Sequence, residues 1–129
     1  MTVADEPTRP TFRLFVYGTL LRGGVRARYL AGQRFLQQAR TVPGYALYHL
    51  GNYPGLVSSS DDGTVAGELY EVEESLLPTL DRIEGAPDLY QLRSIELQGV
   101  AGPTFTYVYQ RDVSERPRIA EGTWTHDSS

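Results

Sequence analysis

Short apolar runs closed by glycine, proline or asparagine recur along most of the chain, and one segment breaks that rhythm. Residues 13–17, Arg-Leu-Phe-Val-Tyr, end at Gly18 and predict a first strand. Residues 25–30 predict a helical turn or two, with a loose start at Gly23-Gly24. Residues 33–41 predict a second strand before the Pro43-Gly44 turn. Residues 45–50 and 53–58 predict two more, separated by a Gly51-Asn52 turn. Asp62-Gly63 reads as a hairpin turn joining residues 53–58 to a strand over 65–72.

From Glu73 to Glu84 the period changes. Leu76, Leu77, Leu80 and Ile83 recur at helical spacing, and Gly85 is a natural stop. Pro78 fits only in the first turn, where its missing N–H costs little, so the helix is expected to begin near Glu74. Residues 90–97 and 104–110 predict two closing strands, the second alternating Phe105, Tyr107 and Tyr109. The order βα, several strands, α and two further strands predicts an α+β fold. Its sheet should be small, mixed, mostly antiparallel and barrel-like, with two short helices. One domain is expected over residues 12–124, with flexible tails over 1–11 and 125–129.

Composition narrows the function. The chain has 129 residues, one ordinary domain's worth, and a formal net charge of −4, which argues against a nucleic-acid partner. All 12 basic residues are arginine. Without lysine there is no phosphate-binding loop of the usual type and no Schiff-base chemistry. Without cysteine there is no disulfide, thiolate nucleophile or thiolate-held metal. No apolar run approaches the roughly 18 residues of a membrane span, and the polar start with Pro7 and Pro10 does not read as a signal peptide. The expectation is a cytoplasmic protein with no membrane partner, a monomer by default.

The helix supplies the first candidate for chemistry. At about 100° per residue its apolar positions cover an arc of roughly 120°. Glu84 falls inside that arc, between Leu80 and Leu77, away from Arg82. Burial raises a carboxyl pKa, and the negative end of the helix dipole pushes the same way. A general base working near neutral pH needs such a shift. The alternative is a carboxylate at the edge of the stripe that reaches solvent or pairs with an arginine.

The second candidate is Tyr17-Gly18-Thr19-Leu20, where a glycine after a strand can turn successive N–H groups into one anion-holding concavity. The plainer reading is an ordinary strand-to-loop turn. Other signals are weaker. His49 and His126 have no metal-site spacing, and no metal or other cofactor is expected. Ser58–Ser60 read as a solvated loop, and Glu71, Glu73 and Glu74 as an acidic helix start. Glu68 either pairs with Glu84 in a two-carboxylate site, faces solvent, or pairs with an arginine. Tyr53, Tyr90, Tyr107 and Tyr109 are core or sheet-face residues, of which one or two could line a pocket.

Four stretches in order carry a resemblance to the γ-glutamylcyclotransferase-like family, particularly its γ-glutamylamine cyclotransferase branch. They are Phe15-Val16-Tyr17-Gly18-Thr19-Leu20, Tyr53-Pro54-Gly55, Gly67-Glu68-Leu69-Tyr70 and Leu80-Asp81-Arg82-Ile83-Glu84-Gly85. Arg22-Gly23, Tyr90 and the strand from Thr106 to Tyr109 also match, so the likeness runs from about Arg13 to Trp124. The resemblance implies a small α+β domain and release of 5-oxoproline from a small-molecule γ-glutamyl substrate. It further implies that the substrate's α-carboxylate end meets backbone N–H groups of Tyr17, Gly18, Thr19 and Leu20, that Tyr90 borders the substrate, and that Glu84 accepts the proton. Two rivals stay open: a non-catalytic module binding an amino-acid-like ligand in the same cleft, and a hydrolase using Glu68 with Glu84.

Overall fold

A computed structural model describes residues 9–125, so the tails expected over 1–8 and 126–129, and His126, lie outside the described residues. Seven strands and one α-helix follow in the order β1 (Thr11–Val16), β2 (Arg34–Arg40), β3 (Tyr45–His49), β4 (Pro54–Ser58), β5 (Ala66–Glu73), α1 (Leu77–Glu84), β6 (Tyr90–Ser94), β7 (Phe105–Tyr109). Thr11, expected in the leading tail, opens β1 opposite Glu73.

A five-stranded sheet has the order β2-β5-β1-β7-β6, and β3 and β4 form a separate two-stranded sheet. Only β1 and β7 pair in parallel; the other pairings are antiparallel. The fold is therefore α+β with a mostly antiparallel mixed sheet, as expected, but the sheet is not a closed barrel. Its edges meet at one point beyond the ends of β2 and β6, where Thr41 and Leu97 form an isolated bridge. The expected pair of helices is also corrected. Residues 27–30 form a 3₁₀ turn, and α1 is the one α-helix among the described residues. Gly23 and Gly24 just before it, and Gly32 just after, leave too little chain for an α-helix to nucleate.

The Asp62-Gly63 hairpin is a second correction. β4 pairs with β3, while β5 pairs with β1 and β2, so residues 59–65 carry the chain between two sheets. Asp61 explains the local turn: its Oδ1 accepts from the Gly63 N–H at 3.0 Å, an Asx-type turn. Glu71 and Glu73, expected at the helix start, belong to β5, where Thr11 donates to Glu71 and Arg9 to Glu73. Glu74 opens a 3₁₀ turn over Glu74–Leu76, and α1 starts at Leu77. The argument from Pro78 holds, since it lies in the first turn of α1. Gly85 caps the other end at φ 68°, a left-handed conformation that glycine adopts without penalty.

Leu14, Val16, Val72 and Leu80 pack one cluster between the sheet and α1. Phe15, Leu47, Leu56, Val65 and Leu69 pack a second between the two sheets. Gly18 sits where these layers meet. A Cβ built there would lie 2.6 and 2.8 Å from Cγ and Cδ of Pro54, at the start of β4. Close approach of a proline ring, not a positive φ, is what demands glycine.

Gly18→Ala should therefore destabilise the fold by about 1–3 kcal/mol, the usual cost of forcing an extra methyl into a packed site. Because the clash is with one ring, Gly18→Ala combined with Pro54→Ala should lose less than the two single losses added together. Chemical denaturation of all four proteins measures the coupling.

Candidate active site

The end of β1 builds one wall. Leu14, Phe15, Val16 and Tyr17 are all buried, and the chain then leaves the sheet as a tight loop. The Gly18 and Thr19 carbonyls accept from the Leu21 and Arg26 N–H groups at 3.0 and 2.9 Å. The N–H groups of Gly18, Thr19 and Leu20 donate to no acceptor among the described residues. These N–H groups suit an anionic guest.

Glu68 holds this loop from behind. Its Oε1 accepts from the Arg22 N–H at 3.0 Å, and its Oε2 meets Arg22 Nε at 3.1 Å. The Tyr70 hydroxyl adds a third donor at 3.3 Å. Of the earlier alternatives for Glu68, the arginine partner is the observed one, in a buried rather than solvent-facing position. It does not line the cavity beside Glu84.

Tyr17 is a strut. Its hydroxyl donates to the Tyr107 carbonyl on β7 at 2.6 Å and accepts from the Leu56 N–H on β4 at 3.3 Å. Burial pushes its pKa far up, with the nearby Glu84 charge acting in the same direction. The ring borders the cavity, but the hydroxyl is already committed to the fold. Tyr90 is built likewise: its hydroxyl donates to the Pro54 carbonyl at 2.6 Å, and burial again raises its pKa. Tyr107 donates to Asp81 Oδ1 at 2.6 Å, pinning α1 to β7. Three tyrosine rings of the four singled out, those of Tyr53, Tyr90 and Tyr107, face the cavity.

The opposite wall is the end of α1. Leu80 is fully buried and Ile83 packs against the first core cluster, so the stripe faces inward as its spacing predicts. Glu84 follows the stripe into the cavity wall, with its side chain 11% exposed. Desolvation raises its pKa from 4.5 to about 7, and Arg26 acts in the opposite sense. Arg26 Nη1 lies 3.6 Å from Glu84 Oε2 and donates to the Ile83 carbonyl at 2.9 Å. The carboxylate is thus buried, as the stripe predicts, and an arginine is its neighbour.

Loop, helix end and tyrosines enclose a cavity of about 180 Å³. That is below the roughly 300–1,000 Å³ of pockets for drug-sized ligands, and it suits a group the size of an amino-acid side chain and its head. Tyr17, Gly18, Thr19, Leu20, Glu84 and Tyr90, all singled out in the sequence, line this one cavity. Arg26 and Leu89 also line it without having been singled out, as do Pro54 and Ile83, which the sequence marked only as parts of a family stretch or of the apolar stripe. Arg26 is far from Glu84 in sequence, and no local pattern marks it. His49 packs against Trp124 with ring centroids 5.2 Å apart. Among the described residues no cluster of His, Cys, Asp and Glu could hold a metal ion. Nor is any helix among them long and apolar enough to cross a membrane.

A small α+β domain with a buried carboxylate facing a glycine loop defines the class, and comparison with known proteins agrees. The chain belongs to the γ-glutamyl cyclotransferase, AIG2-like family, whose model matches residues 14–126. A Vibrio cholerae protein bearing the γ-glutamylcyclotransferase name is 40% identical over 111 residues, covering 86% of this chain and 93% of that one. A γ-glutamylaminecyclotransferase of Bos taurus is 39% identical over 115 residues, covering 81% of this chain and 68% of that one. The crystal structure of an AIG2-like protein from mouse superposes with a TM-score of 0.77 at 27% identity, covering 89% and 88% of the two chains. The solution structure of YtfP from Escherichia coli gives 0.67 at 34% identity, covering 88% and 96%.

The buried carboxyl makes a prediction about stability. An acid whose folded pKa lies above its unfolded value stabilises the fold while protonated, and loses that stability as pH rises from about 4.5 through about 7. Glu84→Gln removes the titration. Relative to wild type, it should gain stability between pH 4.5 and 8, by at most roughly 3 kcal/mol given the rise from 4.5 to about 7. Denaturant melts of both proteins at each pH measure the gap, and a gap flat with pH would place Glu84 in solvent.

Proposed function

We propose that this chain is a γ-glutamylcyclotransferase that releases 5-oxoproline and an amine or amino acid, with Glu84 as the general base. One observation carries the reading: a mostly buried carboxylate, with a pKa raised to about 7, shares a small cavity with the N–H groups of the Gly18 loop. Family membership fits the same chemistry.

The reaction needs little from the protein beyond position and a proton acceptor. The α-ammonium of the γ-glutamyl group gives one proton to the Glu84 carboxylate. The freed amine attacks the γ-carbonyl carbon, and the carbonyl oxygen takes the negative charge of a tetrahedral intermediate. As that intermediate collapses, the C–N bond to the leaving amine breaks, the protonated Glu84 returns a proton to the departing nitrogen, and the ring nitrogen sheds its second proton through Glu84 to the released amine, which leaves as an ammonium. The base ends as it began. Holding amine and carbonyl in contact contributes several kcal/mol, up to about 7–11 in the best intramolecular reactions. The nucleophile belongs to the substrate, which accords with a chain lacking cysteine and lysine.

The N–H groups of Gly18, Thr19 and Leu20 are the donors for the substrate's anionic end and for the developing oxyanion. The hydroxyls of Tyr17 and Tyr90, already bonded to backbone carbonyls, shape the cavity and are not proton donors in the reaction. The two-carboxylate hydrolase loses its second member, because Glu68 is bound to Arg22 behind the loop.

Mass spectrometry of γ-glutamyl amino acids and γ-glutamyl-lysine isomers incubated with the protein tests the reading. Wild type should release 5-oxoproline, and Glu84→Gln, which cannot accept a proton, should lose about 10²–10⁴ in rate. Wild-type kcat/KM should climb with pH as Glu84 ionises, with its midpoint near the raised value of about 7. Free glutamate as the product would mean hydrolysis. Binding without any product would leave a ligand-binding module of the same fold.

A further inference from the structure

Among the described residues, the cavity wall carries one basic side chain, Arg26. It is anchored at both ends. Its backbone N–H donates to the Thr19 carbonyl at 2.9 Å, and its Nη1 donates to the Ile83 carbonyl at 2.9 Å. The guanidinium therefore bridges the Gly18 loop and the end of α1, and at 39% exposure it borders solvent as well as the cavity. Its other N–H groups meet no acceptor among the described residues.

Arg26 Nη1 stands 3.6 Å from Glu84 Oε2, close enough for attraction but longer than a hydrogen bond. A carboxylate and a guanidinium placed side by side, neither saturated, form the charge inverse of an amino-acid head. Such a head carries an ammonium and a carboxylate one carbon apart. Entering between the two side chains, it would exchange one loose ion pair for two matched contacts, ammonium on Glu84 and carboxylate on Arg26. The scissile nitrogen is a neutral amide and brings no such pair, so the arrangement favours the glutamyl end of the substrate over the leaving group.

Resting on the reading that Glu84 receives the α-ammonium, the geometry points to Arg26 as a binding residue for the α-carboxylate of the γ-glutamyl head, shared with the loop N–H groups. The site then requires a free zwitterionic head. A γ-glutamyl residue whose α-carboxylate is capped, as within a peptide chain, is excluded.

Calorimetry separates this from turnover. γ-Glutamylalanine and two analogues, each with one carboxylate replaced by a carboxamide, are titrated into Glu84→Gln, which binds without consuming them. The analogue capped on the glutamyl α-carboxylate should bind about tenfold or more weakly than the parent, the scale of a lost charge-assisted hydrogen bond. The analogue capped on alanine should bind like the parent. Adding Arg26→Met should shrink the first difference severalfold, leaving the share held by the loop N–H groups, and Arg26→Lys should restore part of it. A difference undiminished by Arg26→Met would assign the carboxylate to the loop alone. One that appears on the alanine carboxylate would assign Arg26 to the leaving group. Either result, or binding of none of the ligands, overturns the proposal. Wild type titrated with L-glutamate and its α-carboxamide, which carry no γ-amide to cleave, repeats the comparison without the Glu84 variant. Because no step depends on chemistry, absence of 5-oxoproline from wild type would remove the cyclase reading and leave this result to be judged by itself.

Discussion

The Tyr17 hydroxyl is the point on which the architecture turns. It is buried between two sheets that share no strand ladder, donating to β7 and accepting from β4. That pair of bonds sets the distance between the five-stranded sheet and the β3–β4 pair. With that distance set, Pro54 comes against Gly18 and its carbonyl reaches the Tyr90 hydroxyl. Buried hydroxyls must find partners or cost about 1–3 kcal/mol each, so tyrosines that face one another across a cavity also fix its walls. Three of the rings that border the cavity, those of Tyr17, Tyr90 and Tyr107, are held by hydrogen bonds of their hydroxyls.

Against this rigid frame, Glu84 is a compromise between two costs. An isolated buried carboxylate is expensive, and a tight ion pair would leave it too weak a base. The structure sits between them. Desolvation outweighs the single guanidinium, which is itself partly spent on the Ile83 carbonyl, and the pKa settles at about 7. Arg26 is placed to temper the charge without neutralising it. On the proposed reading, a ligand ammonium would meet a carboxylate whose arginine neighbour stands 3.6 Å away.

Local patterns made some of this legible and not the rest. The inward stripe of α1 follows from spacing alone, and it carried Glu84 to the cavity wall. The strands appear close to where alternation and turn residues put them, from β1 to β7. Gly18 carries a second requirement that the sequence does not show: the ring of Pro54 leaves no room for a Cβ, and nothing near residue 18 marks that ring. The Asp62-Gly63 signal was real as a turn but wrong as a hairpin, because a turn constrains four residues while pairing is decided by which sheet each strand joins. Arg26 escaped notice because its neighbour Glu84 is brought to it by the fold, and Glu68 gave no hint that its partner would be Arg22. Residues acting through tertiary contacts leave no periodic trace.

A reaction whose nucleophile arrives with the substrate loosens what the protein must build. An enzyme that attacks with its own serine or cysteine must align nucleophile, base and orienting group against each other. In the proposed reaction the glutamyl chain itself would bring amine and carbonyl to five-ring geometry, and the cavity would have only to favour the folded conformer over the extended one. A volume of about 180 Å³, bordered by Tyr17, Tyr90 and Tyr107 with their hydroxyls hydrogen-bonded, would suit that purpose. On that reading, specificity for the head would rest on the Glu84–Arg26 pair in the cavity wall.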